Sequence, residues 1–185
     1  MVFEEIIRGK YVSLQSACED DADFTLSLRQ DPVLTKYLPR LDITLQQQKE
    51  WIRKQRATEG DYFFVVRTLE NQPIGTVSIY DIKGYSSESG RLALIGNACE
   101  NMEASLLLFH FAFDIIGLKE VKGYILDGNK RAERFNRQFG CIFGEPETNK
   151  SGDRIRRTLI TDSAFHEAEK KLSKMLYREE WETST

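Results

Sequence analysis

Few side chains in this sequence are of types that make or break covalent bonds. Three cysteines, Cys18, Cys99 and Cys141, stand far apart with no Cys-x-x-Cys pair, and there are only two histidines. That spacing argues against a disulfide framework or a zinc site, and no metal ligands are assigned. Cys99 lies near a predicted helix start, which favours a thiolate, but no histidine is placed to partner it. His110 falls inside an apolar helical run and reads as a packed core residue rather than a base. Four cations, Lys130, Arg131, Arg134 and Arg137, crowd the start and one side of another predicted helix. They form either a solvated basic face or a local anion site. Asn129, just before them, is of the type that caps a helix. The chemistry within reach is therefore binding and positioning more than covalent catalysis.

Positioning requires a frame, and the hydrophobic pattern supplies one. Residues 11–14 form a first strand, and the acidic cluster Glu19, Asp20, Asp21 suits the start of a helix running to about Arg29. Asp31-Pro32 and Leu38-Pro39 punctuate a loop. Thr44 followed by Gln47 is a capping-box pattern opening a second helix that ends near Glu59-Gly60. Residues 62–68 and 74–82 are strands joined by a short polar connection. Residues 84–90 read as a polar, flexible crossing before a fourth strand at 91–95. A helix over 103–116 with Gly117 just past its end, then a strand at 121–126, makes a strand-helix-strand unit that favours a parallel pair. A helix over 129–139 closed by Gly140, a strand at 156–161 and a terminal helix follow. That last helix carries Phe165, Ala168, Leu172, Met175 and Leu176 on one face. The fold class is α/β (α+β), with a mixed sheet covered by helices.

Composition narrows the function classes. The chain has 185 residues, 41% hydrophobic and 30% charged, which suits one globular unit rather than a disordered or fibrous one. A net charge of −3 lacks the basic field that a nucleic-acid backbone requires, so no nucleic acid is expected as partner. No apolar run approaches the roughly 20 residues of a membrane span, and the first residues do not read as a secretory signal. The expectation is a cytoplasmic protein with no membrane partner.

The order of these elements, with two segments, resembles the GNAT superfamily of N-acetyltransferases. The first segment is Gly75-Thr76-Val77-Ser78-Ile79-Tyr80-Asp81-Ile82, preceded by Gln72-Pro73-Ile74, similar to the family's central hairpin. The second runs from Glu103-Ala104-Ser105-Leu106-Leu107-Leu108 through Gly117-Leu118 to Asn129-Lys130-Arg131-Ala132 and Phe139-Gly140-Cys141. It is similar to the helix after the cofactor loop, the fifth strand, and the motif of Asn, two residues, Ala, then a Gly-aromatic pair. Leu28-Arg29-Gln30-Asp31-Pro32, Tyr37-Leu38, Ile43 and Trp51-Ile52 look like the acetyltransferases of amino-sugar nucleotides, and ribosomal-protein N-terminal acetyltransferases share much of that pattern.

The resemblance implies acetyl-coenzyme A as co-substrate and a mostly antiparallel sheet of six to seven strands. A parallel splay between the fourth and fifth would admit the thioester arm. It implies an acetyltransferase domain over 8–162, a C-terminal helix over 163–180 packed on it, and a disordered tail at 181–185. The acceptor would be a small amine, an amino-sugar nucleotide for preference. The rivals are a protein N-terminus and a non-catalytic binding or assembly module of the same fold, and a homodimer is a possible state. By the same resemblance Leu94, Ile95, Asn97, Ala98, Cys99, Asn101, Met102, Asn129, Arg131 and Arg134 would hold the cofactor, with Asn129 and Asn136 nearest the chemistry. Arg29, Tyr37, Tyr80, Asp81 and Glu88 would face the acceptor, with Arg29 clamping a phosphate bidentately. Two departures stand out. In the cofactor loop, Asn97, Cys99 and Asn101 take glycine places, where an asparagine at positive φ would preserve the backbone shape while Glu100 and Glu103 oppose phosphate. Asn136 stands where the family often has a tyrosine acid, and an amide releases no proton at neutral pH.

Overall fold

Local signals start most of the helices. In the computed structural model, which describes residues 2–37 and 41–177 (Tyr37 by its backbone), Glu19–Asp21 form one 3-10 turn ahead of helix α1, Ala22–Gln30. Helix α2, Leu45–Ala57, opens on the expected box: Thr44 Oγ1 accepts from Gln47 N–H, and Gln47 Oε1 from Thr44 N–H. Helix α3, Ala98–His110, runs into a π turn at Phe111–Ile115. It starts five residues before the expected position, because Asn97 caps it. Helices α4, Lys130–Arg137, and α5, Asp162–Leu176, are capped by Asn129 and Thr161.

The strands are β1 Ile7–Arg8, β2 Val12–Ser16, β3 Tyr62–Thr68, β4 Pro73–Lys83, β5 Ser86–Leu94, β6 Glu120–Leu126, β7 Ile142–Thr148 and β8 Arg154–Thr161. They form one sheet in the order β1-β2-β3-β4-β5-β6-β8-β7, antiparallel except for β5 and β6. The mixed, mostly antiparallel α/β class is as the sequence suggested, with eight strands rather than six or seven. The additions are edge strands: β1 has two residues, and β7 leaves Ile142 exposed, so neither shows the buried alternation that marks a strand. The expected flexible crossing at 84–90 is mostly strand. Lys83 pairs with Ser86 across a tight turn, and β5 runs on from there with Ser87 buried.

One apolar cluster joins the sheet to α3 and α5, with Phe64, Val77, Ile79, Phe111, Val121, Phe139 and Phe165 at its centre. Of the expected α5 face, Phe165, Leu172 and Leu176 are buried, whereas Met175 is 57% exposed. The predicted tail at 181–185, and the last residues of the predicted helix, lie outside the described residues. On the other face a smaller cluster of Ala17, Phe63 and Val65 packs under Phe24 of α1 and Trp51 of α2. Among the described residues no helix is long and apolar enough to cross a membrane.

Glu103 contradicts its expected role as a charge facing phosphate. Its side chain is fully buried in α3, where its carboxylate accepts from the N–H groups of Lys10, Tyr11 and Val12 and from the Tyr177 hydroxyl. Burial first, then that bond, pushes the Tyr177 phenol up. A buried carboxylate persists when its oxygens are fully hydrogen-bonded, and these four donors meet the condition.

Candidate active site

The parallel pair opens. β5 and β6 pair at only three positions, Ser86 with Glu120, Ser87 with Val121 and Glu88 with Lys122. Both strands continue, β5 along β4 as far as Leu94 and β6 along β8 as far as Leu126. Beyond Glu88 and Lys122 their facing edges therefore lack ladder partners among the described residues. The cause lies in β5: Arg91 adopts φ 50° and the β4–β5 register slips between Thr76 and Ser78. Such a bulge bends its strand and raises its twist, which swings β5 away from β6. Thr76 Oγ1 donates to Arg91 O at 2.7 Å and holds the bulge. At the apex a Cβ on Gly123 would stand 3.1 Å from Ser89 O, so a glycine lets the strands approach before they part. The free stretch of β5 carries Leu92 and Leu94, and Ile95 just past its end is 52% exposed.

One face of the opening is a tight cluster. The Arg91 guanidinium forms a bidentate pair with Asp61 (2.6 and 2.9 Å) and donates to Ser78 Oγ at 3.0 Å. It lies 5.1 Å from the Trp51 ring centre and 4.4 Å from that of Tyr80. The Tyr80 hydroxyl sits where a side chain at residue 90 would go, 2.7 Å from an ideal Cβ on Gly90, and Glu88 pairs opposite Tyr80. Burial raises the Tyr80 pKa, with Arg91 opposing it, so the phenol stays protonated at neutral pH. At the end of α1 the Arg29 guanidinium is held below its ordinary range by burial and then by Arg91. Of the predicted acceptor residues, Arg29, Tyr80 and Glu88 thus come together. Asp81 does not join them, because its carboxylate turns outward to Lys83 at 2.9 Å. The Tyr37 side chain lies outside the description. Arg91, Asp61 and Tyr124, which is half exposed on β6, were missed. Arg91 alone carries a sequence signal, a charge inside a strand.

The open end of the pair carries two helix starts, since α3 follows β5 and α4 follows β6. Helix starts favour anions. The expected positive φ in the α3 loop is absent: Asn97 has φ −69° and is an N-cap, and Asn101 lies inside α3. A capping side chain satisfies a first-turn amide and needs only extended backbone. Ala98 and Cys99 are exposed on that first turn, but Met102 is buried in the main cluster and does not reach the opening. Asn129 accepts from Ala132 N–H at 3.1 Å, and Asn136 Nδ2 donates to Ala132 O at 2.8 Å, so both engage their own helix. Lys130 and Arg137 pair with Glu133, whose carboxyl they hold down at about 2. Arg131 and Arg134 are exposed and have no ion pair among the described residues. His110 is half exposed rather than packed in the core, its ring nitrogens 2.6 Å from Asp114 and 2.8 Å from Glu169, because it ends the helix facing α5. The buried Cys141 thiol is pushed up to about 11.

A sheet of this order, parted along its parallel pair between two helix starts, is the architecture of an acetyl-group transferase. The chain belongs to the GNAT acetyltransferases: the family model of the Acetyltransferase (GNAT) domain matches residues 12–142. Among solved structures it is similar to apo FdhC, described as a nucleotide-linked sugar GNAT, at 23% identity and a TM-score of 0.78, covering 95% of this chain and 99% of that one. A GCN5-related N-acetyltransferase from Brucella melitensis gives 18% and 0.78, covering 95% and 87%. The spermidine N-acetyltransferase from Vibrio cholerae, in complex with CoA and spermine, gives 15% and 0.77, covering 85% and 99%. At these identities the likeness is one of fold. A sequence search of the curated proteins found no match.

Proposed function

We propose that the protein is an acetyl-coenzyme A dependent N-acetyltransferase that passes the acetyl group directly to a primary amine of a small acceptor, an amino-sugar nucleotide for preference. The observation that carries this reading is the opening of β5 from β6 after three paired positions. An extended, partly apolar edge with unpaired main-chain groups suits a pantetheine arm, which is itself an amide chain. The residues fit that part of the cofactor: Leu92, Leu94 and Ile95 line the edge, and Arg131 and Arg134 are available to phosphates.

Acetyl-coenzyme A supplies the thioester, an acyl carbon already activated for attack, whose C–S bond breaks as the C–N bond to the amine forms, so that coenzyme A leaves as the thiol. The chain supplies orientation and hydrogen bonds. Main-chain N–H groups on the inner edge of β5 stand ready for the acyl oxygen, fixed by the bulge before any ligand arrives. Tyr80 offers a neutral hydroxyl at the same level of the strand, held in place by Arg91, which acts as a positioning residue through its pair with Asp61. Glu88, opposite Tyr80 and not engaged by Arg91 as Asp61 is, would take up the amine proton through water. Arg29, beside Arg91, brings a second guanidinium to the acceptor face, the group that would meet the phosphate of a phosphate-bearing amine. A non-catalytic binding role is the second reading, favoured by the way Asn97 and Glu100 close the α3 start.

A thiol-release screen with acetyl-coenzyme A against amino-sugar nucleotides, polyamines and peptides tests the proposal. Release with the nucleotides alone is the expected result. Release with peptides alone would move the acceptor to a protein N-terminus, and no release from any acceptor would leave the binding role.

A further inference from the structure

The β6 bank of the opening carries an aromatic ring that the fold leaves unused. Successive side chains of a strand point to opposite faces of its sheet. On β6, Val121 is buried in the main cluster and Gly123 is buried too, whereas Lys122 and Tyr124 are exposed. Lys122 pairs with Glu88 and Glu88 with Tyr80, so Tyr124 projects on the acceptor face, two residues past the last β5–β6 pair. Half of its surface is open, and among the described residues its side chain makes no hydrogen bond and no ring contact.

The groups around that ring are polar. After burial and Arg91, Tyr124 is the next influence on the Arg29 guanidinium, and after burial, Arg91 and Glu88 it acts on the Tyr80 phenol. Opposite it on β8, the Arg157 guanidinium is held above its ordinary range by Glu147, 2.7 Å away, and more weakly by Glu88 and Tyr124. One face thus gathers Arg29 from α1, Tyr80 from β4, Glu88 from β5 and Tyr124 from β6, and the parting runs between the last two.

A half-open ring in such a place offers an apolar plane to whatever enters. The entering molecule must bring its amine to Tyr80 and Glu88 at the apex. A strand rises about 3.3 Å per residue, so Tyr124 stands about 7 Å further along β6 than the Lys122 that pairs with Glu88. A sugar-sized ring bearing the amine spans that distance and covers the plane. A linear arm lies along one bank and leaves it bare, and a nucleobase carried beyond a diphosphate sits further out.

Resting on the acceptor reading above, we propose that Tyr124 packs its ring against the amine-bearing sugar ring and makes the site select cyclic amines over linear ones carried on a nucleotide. The guanidinium groups meet the ligand's charge, which both kinds of acceptor share. The plane of Tyr124 separates them.

Calorimetric titration of UDP-glucosamine and of CDP-ethanolamine into the wild type, Tyr124→Ala and Tyr124→Phe, with coenzyme A present, tests this. Both ligands are primary amines on a nucleoside diphosphate, and only the first has a sugar between amine and phosphate. The wild type is expected to bind UDP-glucosamine more tightly, and Tyr124→Ala to lose about fivefold of that advantage while CDP-ethanolamine keeps its affinity. Phenylalanine retains the ring and should retain the advantage. Equal weakening of both ligands by Tyr124→Ala would overturn the role, because the ring would then be meeting the nucleotide. An advantage that survives alanine, is lost as fully with phenylalanine, or is missing from the wild type would overturn it too. Each of those results leaves the transfer reaction standing. Failure of the wild type to bind either ligand would overturn the role together with the nucleotide acceptor. If UDP-glucosamine binds through Tyr124 yet releases no thiol from acetyl-coenzyme A, the role stands and the transfer reaction falls.

Discussion

The acceptor face and the donor end of the opening are built by opposite means. On the acceptor face, Arg91 of β5 is fixed by Asp61 before β3, Ser78 and Tyr80 of β4 and Trp51 of α2, partners remote in sequence and largely shielded from water. At the donor end every bond that matters spans three to five residues and stands near solvent: Asn97 with Glu100, Asn101 with Gly96, Asn129 with Ala132. The first arrangement is preorganised and breaks as a unit. The second can exchange its internal partners for a ligand at small cost. A site that must hold one substrate rigidly while a large, flexible one comes and goes is served by that division.

The largest expected effect breaks the rigid side. Asp61→Ala leaves the Arg91 guanidinium without its charge partner, which costs about 3 kcal/mol and should show as a lowered urea midpoint together with loss of transfer. An equal loss from Glu133→Ala at the donor end would erase the contrast. A finer test is Tyr80→Phe, which removes one hydroxyl from the acceptor face and leaves the ring on Arg91. Transfer should fall about tenfold in kcat with KM and the melting temperature unchanged. If KM alone moved, Tyr80 would be an acceptor contact and not a group used during transfer.

The smallest effect belongs to the exposed pairs. Hydrogen bonds from Arg137 and then Lys130 hold the Glu133 carboxyl at about 2, below its ordinary 4.5. Because the folded value is the lower one, the pairs stabilise the fold fully above the ordinary value and fade as pH falls towards 2. The melting-temperature gap between wild type and Glu133→Gln should therefore be small at pH 6 and close between pH 4.5 and 2. A gap that widened on acidification would reverse the sign of the linkage.

The same division explains what could be read in the sequence. Thr44 and Gln47 announced α2 because a capping box is a local pattern, and Gly117 and Gly140, both at positive φ, ended their helices where expected. Asn97 and Glu100 carry the same three-residue spacing, yet comparison with a glycine-bearing loop suggested a left-handed backbone instead. The polar types at 97 and 100 were better evidence than the missing glycines. The parallel pair was legible from the strand-helix-strand order, whereas its parting was implied only by the family resemblance. The Arg91–Asp61 pair was not, because nothing local reports that residues thirty apart will meet across β3 and β4. Glu103 misled for a related reason. A glutamate one turn into a helix is normally solvated, and only the β1–β2 turn, brought over it by the fold, makes it a core residue.

That buried glutamate has a consequence for how the molecule breathes. The amides of Lys10, Tyr11 and Val12 flank a two-residue edge strand and by position alone should exchange their protons quickly. Because all three are tethered to a carboxylate rooted in α3, their deuterium uptake should follow the slowest amides of the central helix. The rim of the sheet would open only when its middle does.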